Sequence, residues 1–157
     1  MGASSRVQSD LVPAHATVLI ARIARVVRQR FEQVLTPLGL RQRHVVALSY
    51  LRGHGPTAQQ KLADRLRMDA SSMVCLLNEL EESQLVVRNR DRADRRRALV
   101  ELSPQGESAL CEVDRALQIV EDEMLTGLDA PRRAMLHELL AQLDFGEPDW
   151  GSIADEA

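Results

Sequence analysis

Aromatic residues are scarce in this 157-residue chain: two Phe, one Tyr and one Trp, or 3%. Its core must therefore come from aliphatic side chains. No apolar run approaches the roughly 20 residues of a membrane-spanning helix. A basic-then-apolar leader pattern is also missing at the N-terminus. A cytoplasmic protein with no membrane partner is expected. There are two cysteines, Cys75 and Cys111, and no CxxC. That complement suits a reducing compartment and not a disulfide scaffold. His15, His44, His54 and His137 are scattered without metal-ligand spacing, so no metal is expected. No glycine-rich phosphate loop or nucleophile elbow occurs. Neither an enzyme nor a cofactor is expected.

What is present is charge, unevenly spread. The net charge is −3, but residues 1–100 hold 17 basic and 9 acidic side chains, while 101–157 hold 3 and 14. A basic body with an acidic C-terminal third allows a local anion-binding surface despite the acidic total.

Hydrophobic periodicity predicts a mainly helical chain. Residues 1–12 and 146–157 read as polar or acidic tails. Val18, Ala21, Ala24, Val27, Phe31 and Val34 mark a helix over 14–35, ended by Pro37 and Gly39. A second helix fits 41–52, with Val45, Leu48 and Leu51 inward. Thr57 is an expected N-cap for a short helix bearing Leu62, Ala63 and Leu66. After the turn Arg67-Met68-Asp69, a helix over 70–83 carries an expected apolar stripe of Ala70, Met73, Val74, Leu77 and Leu80. Two short helices about a tight turn form a helix-turn-helix. The period then shifts to two at 85–88 and 98–102, predicting a hairpin with a charged tip. Ser103-Pro104 starts a long helix whose Leu110, Val113, Leu117, Val120 and Met124 step as a heptad seam. Cys111 beside it is expected in the core. Asp129 to Pro131 opens a last helix with Met135, Leu136, Leu139, Leu140 and Leu143.

The hairpin segment Arg88 to Arg97 holds six Arg and two Asp in ten residues. Arginine suits phosphate contact and insertion into a narrow, negative minor groove. On the preceding helix, Ser71 and Ser72 occupy the N-terminal turn that enters a major groove in helix-turn-helix proteins. Cys75, Asn78, Glu79 and Glu82 lie off the apolar stripe, the acidic end expected to face away from DNA. Taken singly, a charged turn or an amphipathic helix is an ordinary surface feature. Their succession is what points to duplex DNA.

Several segments together resemble the MarR family: 39–44 (Gly-Leu-Arg-Gln-Arg-His), 62–66 (Leu-Ala-Asp-Arg-Leu), Ser71-Ser72, 76–81 (Leu-Leu-Asn-Glu-Leu-Glu), 91–96 (Asp-Arg-Ala-Asp-Arg-Arg) and 100–106 (Val-Glu-Leu-Ser-Pro-Gln-Gly). The resemblance spans roughly residues 14–145. It implies a fold that is mainly α with a small β-hairpin wing: a winged helix-turn-helix domain (57–102) plus N- and C-terminal dimerisation helices (14–35 and 103–145). It implies a homodimer on a pseudo-palindromic operator, with recognition helices about 34–36 Å apart. The DNA contacts implied are Ser71, Ser72, Cys75 and Asn78 on the helix and Arg92, Arg95 and Arg96 on the wing. Two residues depart from the family pattern. Gln84 stands where glycine is common, so that turn must be strained or different. Cys75 stands where a basic residue is common.

The family's cleft between DNA-binding and dimer helices implies a small-molecule effector, for which Arg41, His44 and Tyr50 are the candidates. A repressor released by that effector is the expected function. Two alternatives stand beside it. Cys75 would make a redox-responsive regulator, although the peroxide-sensing branch carries its cysteine in the first helix, where this chain has none. A helical dimerisation or adaptor module would need no DNA at all.

Overall fold

The computed structural model describes residues 15–90 and 98–143. Ten elements follow one another: α1 (Ala16–Leu35), a 3-10 turn (Thr36–Leu38), α2 (Gln42–His54), β1 (Thr57–Ala58), α3 (Gln59–Leu66), α4 (Ala70–Glu82), β2 (Val86–Arg90), β3 (Ala98–Leu102), α5 (Pro104–Met124) and α6 (Ala130–Ala141). The expected helices and hairpin are all there. The short strand β1 was not expected. It joins β3, which pairs with β2, giving an antiparallel sheet of order β1-β3-β2. Thr57 therefore does not cap α3. Its backbone pairs with Val100 and its hydroxyl donates to the Gly55 carbonyl at 2.9 Å, while Ala58 occupies the N-cap position.

The other helix starts are set by the side chains the sequence supplies. Asp69 caps α4 by accepting from the Ser71 and Ser72 amides at 2.8 and 3.0 Å. Those bonds, led by the one from the Ser72 hydroxyl, hold its carboxyl below the usual carboxylate range. Ser103 caps α5 by accepting from Gly106 N–H at 2.9 Å and donates to the Gln84 carbonyl at 2.6 Å. Arg67 closes the helix-turn-helix turn in the left-handed region, φ 50°. Gln84 also sits there, φ 60°, so the strained turn expected at this position is present. Gly106 allows α5 to approach the sheet: a Cβ there would lie 2.1 Å from the Leu85 carbonyl oxygen.

The core is aliphatic. Leu48 and Leu51 from α2, Leu62 from α3, Met73, Leu76, Leu77 and Leu80 from α4, Val86 and Val100 from the sheet, and Leu110 and Val113 from α5 are fully buried. The α4 stripe differs from the expected one. Leu76 is inside, whereas Ala70 is exposed and Val74 is 41% exposed. The first half of the α5 seam packs within the same chain. Cys111, expected in the core, is exposed on α5.

An apolar surface is left on the terminal helices. Leu19, Ile20, Ile23 and Val26 on α1, Ile119 on α5, and Met135, Leu139 and Leu140 on α6 are all exposed, and α6 buries no residue. Among the described residues, no helix is long and apolar enough to cross a membrane.

Candidate nucleic-acid interface

The candidate site begins with α4. Its buried line of Met73, Leu76, Leu77 and Leu80 fixes its rotation against the core. Residues about half a turn away must then face solvent. These are Ser71, Cys75 and Asn78, spaced i, i+4, i+7, and all three are exposed. Ser72 is exposed too, but its hydroxyl donates to Asp69 and belongs to the cap. The helix has no Lys or Arg along Ala70–Glu82, and three glutamates at its C-terminal end.

Two of those glutamates are held by neighbouring cations. Arg43 on α2 donates through one guanidinium nitrogen to both oxygens of Glu79, at 2.8 and 2.9 Å. His44 Nε2 lies 2.7 Å from Glu79 Oε2. The His44 Nδ1 accepts from the Arg41 amide at 3.2 Å, closing a capping box at the start of α2. An accepting Nδ1 places the ring proton on Nε2, so a neutral His44 donates to an ionised Glu79. The titration directions agree. Burial pushes the His44 pKa below its ordinary value, outweighing the upward pull of Glu79. Burial pushes Glu79 up, but the hydrogen bonds from His44 and Arg43 and the charge of Arg43 bring it below the usual carboxylate value. The Cys75 thiol donates to Glu79 Oε1 at 3.6 Å, the length of a sulfur hydrogen bond.

The wing strand is tied to the same helix by Arg88 on β2. Its guanidinium donates to Asn78 Oδ1 at 2.9 Å. Its Nε lies 3.5 Å from Glu81 Oε2, an ion pair without hydrogen-bond geometry. Arg88 thus ties Asn78 on α4 to the first strand of the hairpin. The β2-β3 register runs from Val86 opposite Leu102 to Arg90 opposite Ala98. The tip residues Arg92, Arg95 and Arg96 lie outside the described residues.

The other candidates are spread along α2. Arg41 and His44 share the N-terminal cap. Tyr50 is six residues beyond His44, about 9 Å along the helix axis, and stacks on His54 with ring centroids 4.0 Å apart. The cap and the stack do not meet. Both His44 ring nitrogens are engaged within the chain. Among the described residues, no group of three His, Cys, Asp or Glu is placed to hold a metal. Sequence reasoning missed Arg43, Arg88 and the outward Val74. Arg88 had been counted only as one more wing arginine.

With this geometry established, known proteins supply the context. Residues 38–97 match the MarR family. Over that segment the chain is similar to the MarR family, and its fold is a winged helix. Members of that family are transcription regulators, not enzymes. A probable transcriptional regulator from Pseudomonas aeruginosa is 26% identical, with a TM-score of 0.65 over 82% of this chain and 96% of that one. A variant of MepR from S. aureus, bound to an oligodeoxyribonucleotide, is 21% identical with a TM-score of 0.65, covering 83% and 96%. BpsR of Bordetella bronchiseptica, whose DNA binding is regulated by 6-hydroxynicotinic acid, is 22% identical with a TM-score of 0.67, covering 85% and 95%. In the winged helix fold shared with these structures, α4 is the second helix of the helix-turn-helix and β2-β3 the wing.

Proposed function

We propose that the chain is a homodimeric, sequence-specific duplex-DNA-binding transcription regulator, a repressor released by a small-molecule effector. The observation that carries this reading is the outward line Ser71-Cys75-Asn78 on α4, locked by Arg88 to a hairpin whose tip is arginine-rich. The helix faces a major groove. The tip, through Arg92, Arg95 and Arg96, reaches phosphates or the adjacent minor groove. Neutralisation of Glu79 and Glu81 by Arg43 and Arg88 lets a helix with no cation of its own approach DNA. Wing arginines then supply most of the salt-dependent affinity.

The exposed apolar surface of α1, α5 and α6 supports the homodimer, because a lone chain would leave it in water. Residues 57–102 form the DNA-binding unit, and the helices within 14–35 and 103–145 form the dimerisation unit. The MepR variant bound to an oligonucleotide supports duplex DNA as partner. The regulation of BpsR by a small acid supports an effector. Arg41, a cation at the α2 cap, and Tyr50, half-buried, are the residues proposed to meet it. His44 belongs to the same proposal through its contact with Arg41.

The test is fluorescence anisotropy of the full chain on duplex DNA flanking its own gene, against a scrambled duplex, across salt. The reading expects selective binding that weakens steeply with salt, and strong loss in Arg96→Ala with the dimer intact. Absence of duplex binding at low salt would favour an adaptor instead. A thiol switch through Cys75 is a second reading, favoured by its exposure on the DNA-facing line. Unchanged DNA affinity after diamide treatment would exclude it.

A further inference from the structure

The outward face of α4 carries one large aliphatic side chain, Val74, 41% exposed, one turn from Ser71 and Asn78. Its core neighbours Met73, Leu76 and Leu77 are at most 1% exposed, so packing does not account for a valine here. Helix propensity does not either, since a β-branched residue is a mediocre choice for an exposed helical position. Four residues on, Asn78 gives its Oδ1 to Arg88. What Asn78 then offers outward is Nδ2, a donor. Positions i and i+4 bring the two side chains within about 5–6 Å at their Cβ atoms. In a major groove the base edge combining an apolar group with an acceptor is thymine, through its C5-methyl and O4.

We propose that Val74 and Asn78 together read one thymine in each half-site, Val74 packing on the methyl group and Asn78 donating to O4. This rests on the DNA-binding reading above and gives that site its base preference. Arg88 is a positioning residue in this scheme, fixing which end of the Asn78 amide meets the base. The absence of any Lys or Arg on α4 fits the same scheme, because bidentate guanine recognition has no donor there.

The test uses the full chain and a duplex enriched by it from a random-sequence library. Each half-site thymine is replaced in turn by deoxyuridine, which lacks the methyl, or, opposite guanine, by 5-methylcytosine, which keeps the methyl but replaces O4 with a donor. One position per half-site should lose affinity about fourfold with deoxyuridine, the value of one buried methyl, and roughly fifteenfold when both half-sites are changed. 5-Methylcytosine there should cost roughly tenfold. Val74→Ala should abolish the deoxyuridine penalty, and Asn78→Ala the 5-methylcytosine penalty, with unchanged circular dichroism. If the duplex binds but tolerates deoxyuridine at every thymine, or Val74→Ala keeps the full penalty, the thymine reading fails while DNA binding stands. If no duplex is enriched at low salt, the DNA-binding reading fails and this proposal with it.

Discussion

Replacing Glu79 with alanine should destabilise the protein far more than an exposed-face substitution on a helix. The carboxylate is only partly buried, its side chain 34% exposed, but its partners are more enclosed: 21% for Arg43 and 8% for His44. Truncation leaves the His44 Nε2–H buried without its acceptor, at about 1–3 kcal/mol. The Arg43 contact adds less than about 1 kcal/mol, because its guanidinium keeps some solvent. A total near 2–3 kcal/mol follows, or about a 1 M fall in urea midpoint for a slope of roughly 2 kcal/mol per M. Glu79→Gln should recover most of it, since a side-chain amide oxygen can still accept from His44. The assay is urea denaturation followed by circular dichroism at one protein concentration, because association would shift the midpoint. A Glu79→Ala midpoint at the wild-type value would mean that His44 does not depend on Glu79 as its acceptor. So would a Gln variant as unstable as the Ala variant.

Three further outcomes are expected. His44 and Glu79 both have lowered pKa values, so their contributions are present at neutral pH and are lost on acidification. For His44 the loss begins as pH falls below its unfolded value near 6.5 and cannot exceed about 1.4 kcal/mol per pH unit for one proton. His44→Gln, which can both cap Arg41 and donate to Glu79, should keep neutral-pH stability and show a shallower loss between about pH 6.5 and 5; denaturation midpoints across pH check this. Gln84→Gly should stabilise by about 0.5–1 kcal/mol, the left-handed strain relieved less the added chain entropy, read by thermal unfolding. Leu139→Glu, on the exposed face of α6, should turn a dimer into monomer in sedimentation velocity, with little change in helical content.

Much of the fold was legible because its signals are local. Ser103-Pro104 and Asp129 to Pro131 announce helix starts that are there, and the change of period after residue 84 marks the hairpin. The strained or different turn expected at Gln84 came from the family resemblance, in which glycine is common there, and its φ of 60° is left-handed. Local signals also explain the errors. Apolar residues at 73, 74, 76 and 77 satisfy two helical stripes, and only the packed core shows that Leu76 faces inward and Val74 outward. Thr57 suits a cap as well as a strand, and its pairing with Val100, far along the chain, decides for the strand. Cys111 lies beside the α5 seam and not on it, which leaves it exposed. The site divides in the same way. Its outward residues follow from helix periodicity, whereas the bond from Arg43 to Glu79 joins positions 36 residues apart and has no sequence signature. Arg88 is similar: the composition of the hairpin shows it as charge, and only the geometry shows it holding Asn78.

In the proposed complex α4 enters a major groove in each of two half-sites, with the wing tips beside it. Guanine-methylation interference combined with hydroxyl-radical footprinting on a selected duplex tests this arrangement most directly. Two major-groove interference patches should lie about one helical turn apart, each flanked by backbone protection that Arg96→Ala weakens. A single unpaired patch, or uniform protection without major-groove interference, would contradict it.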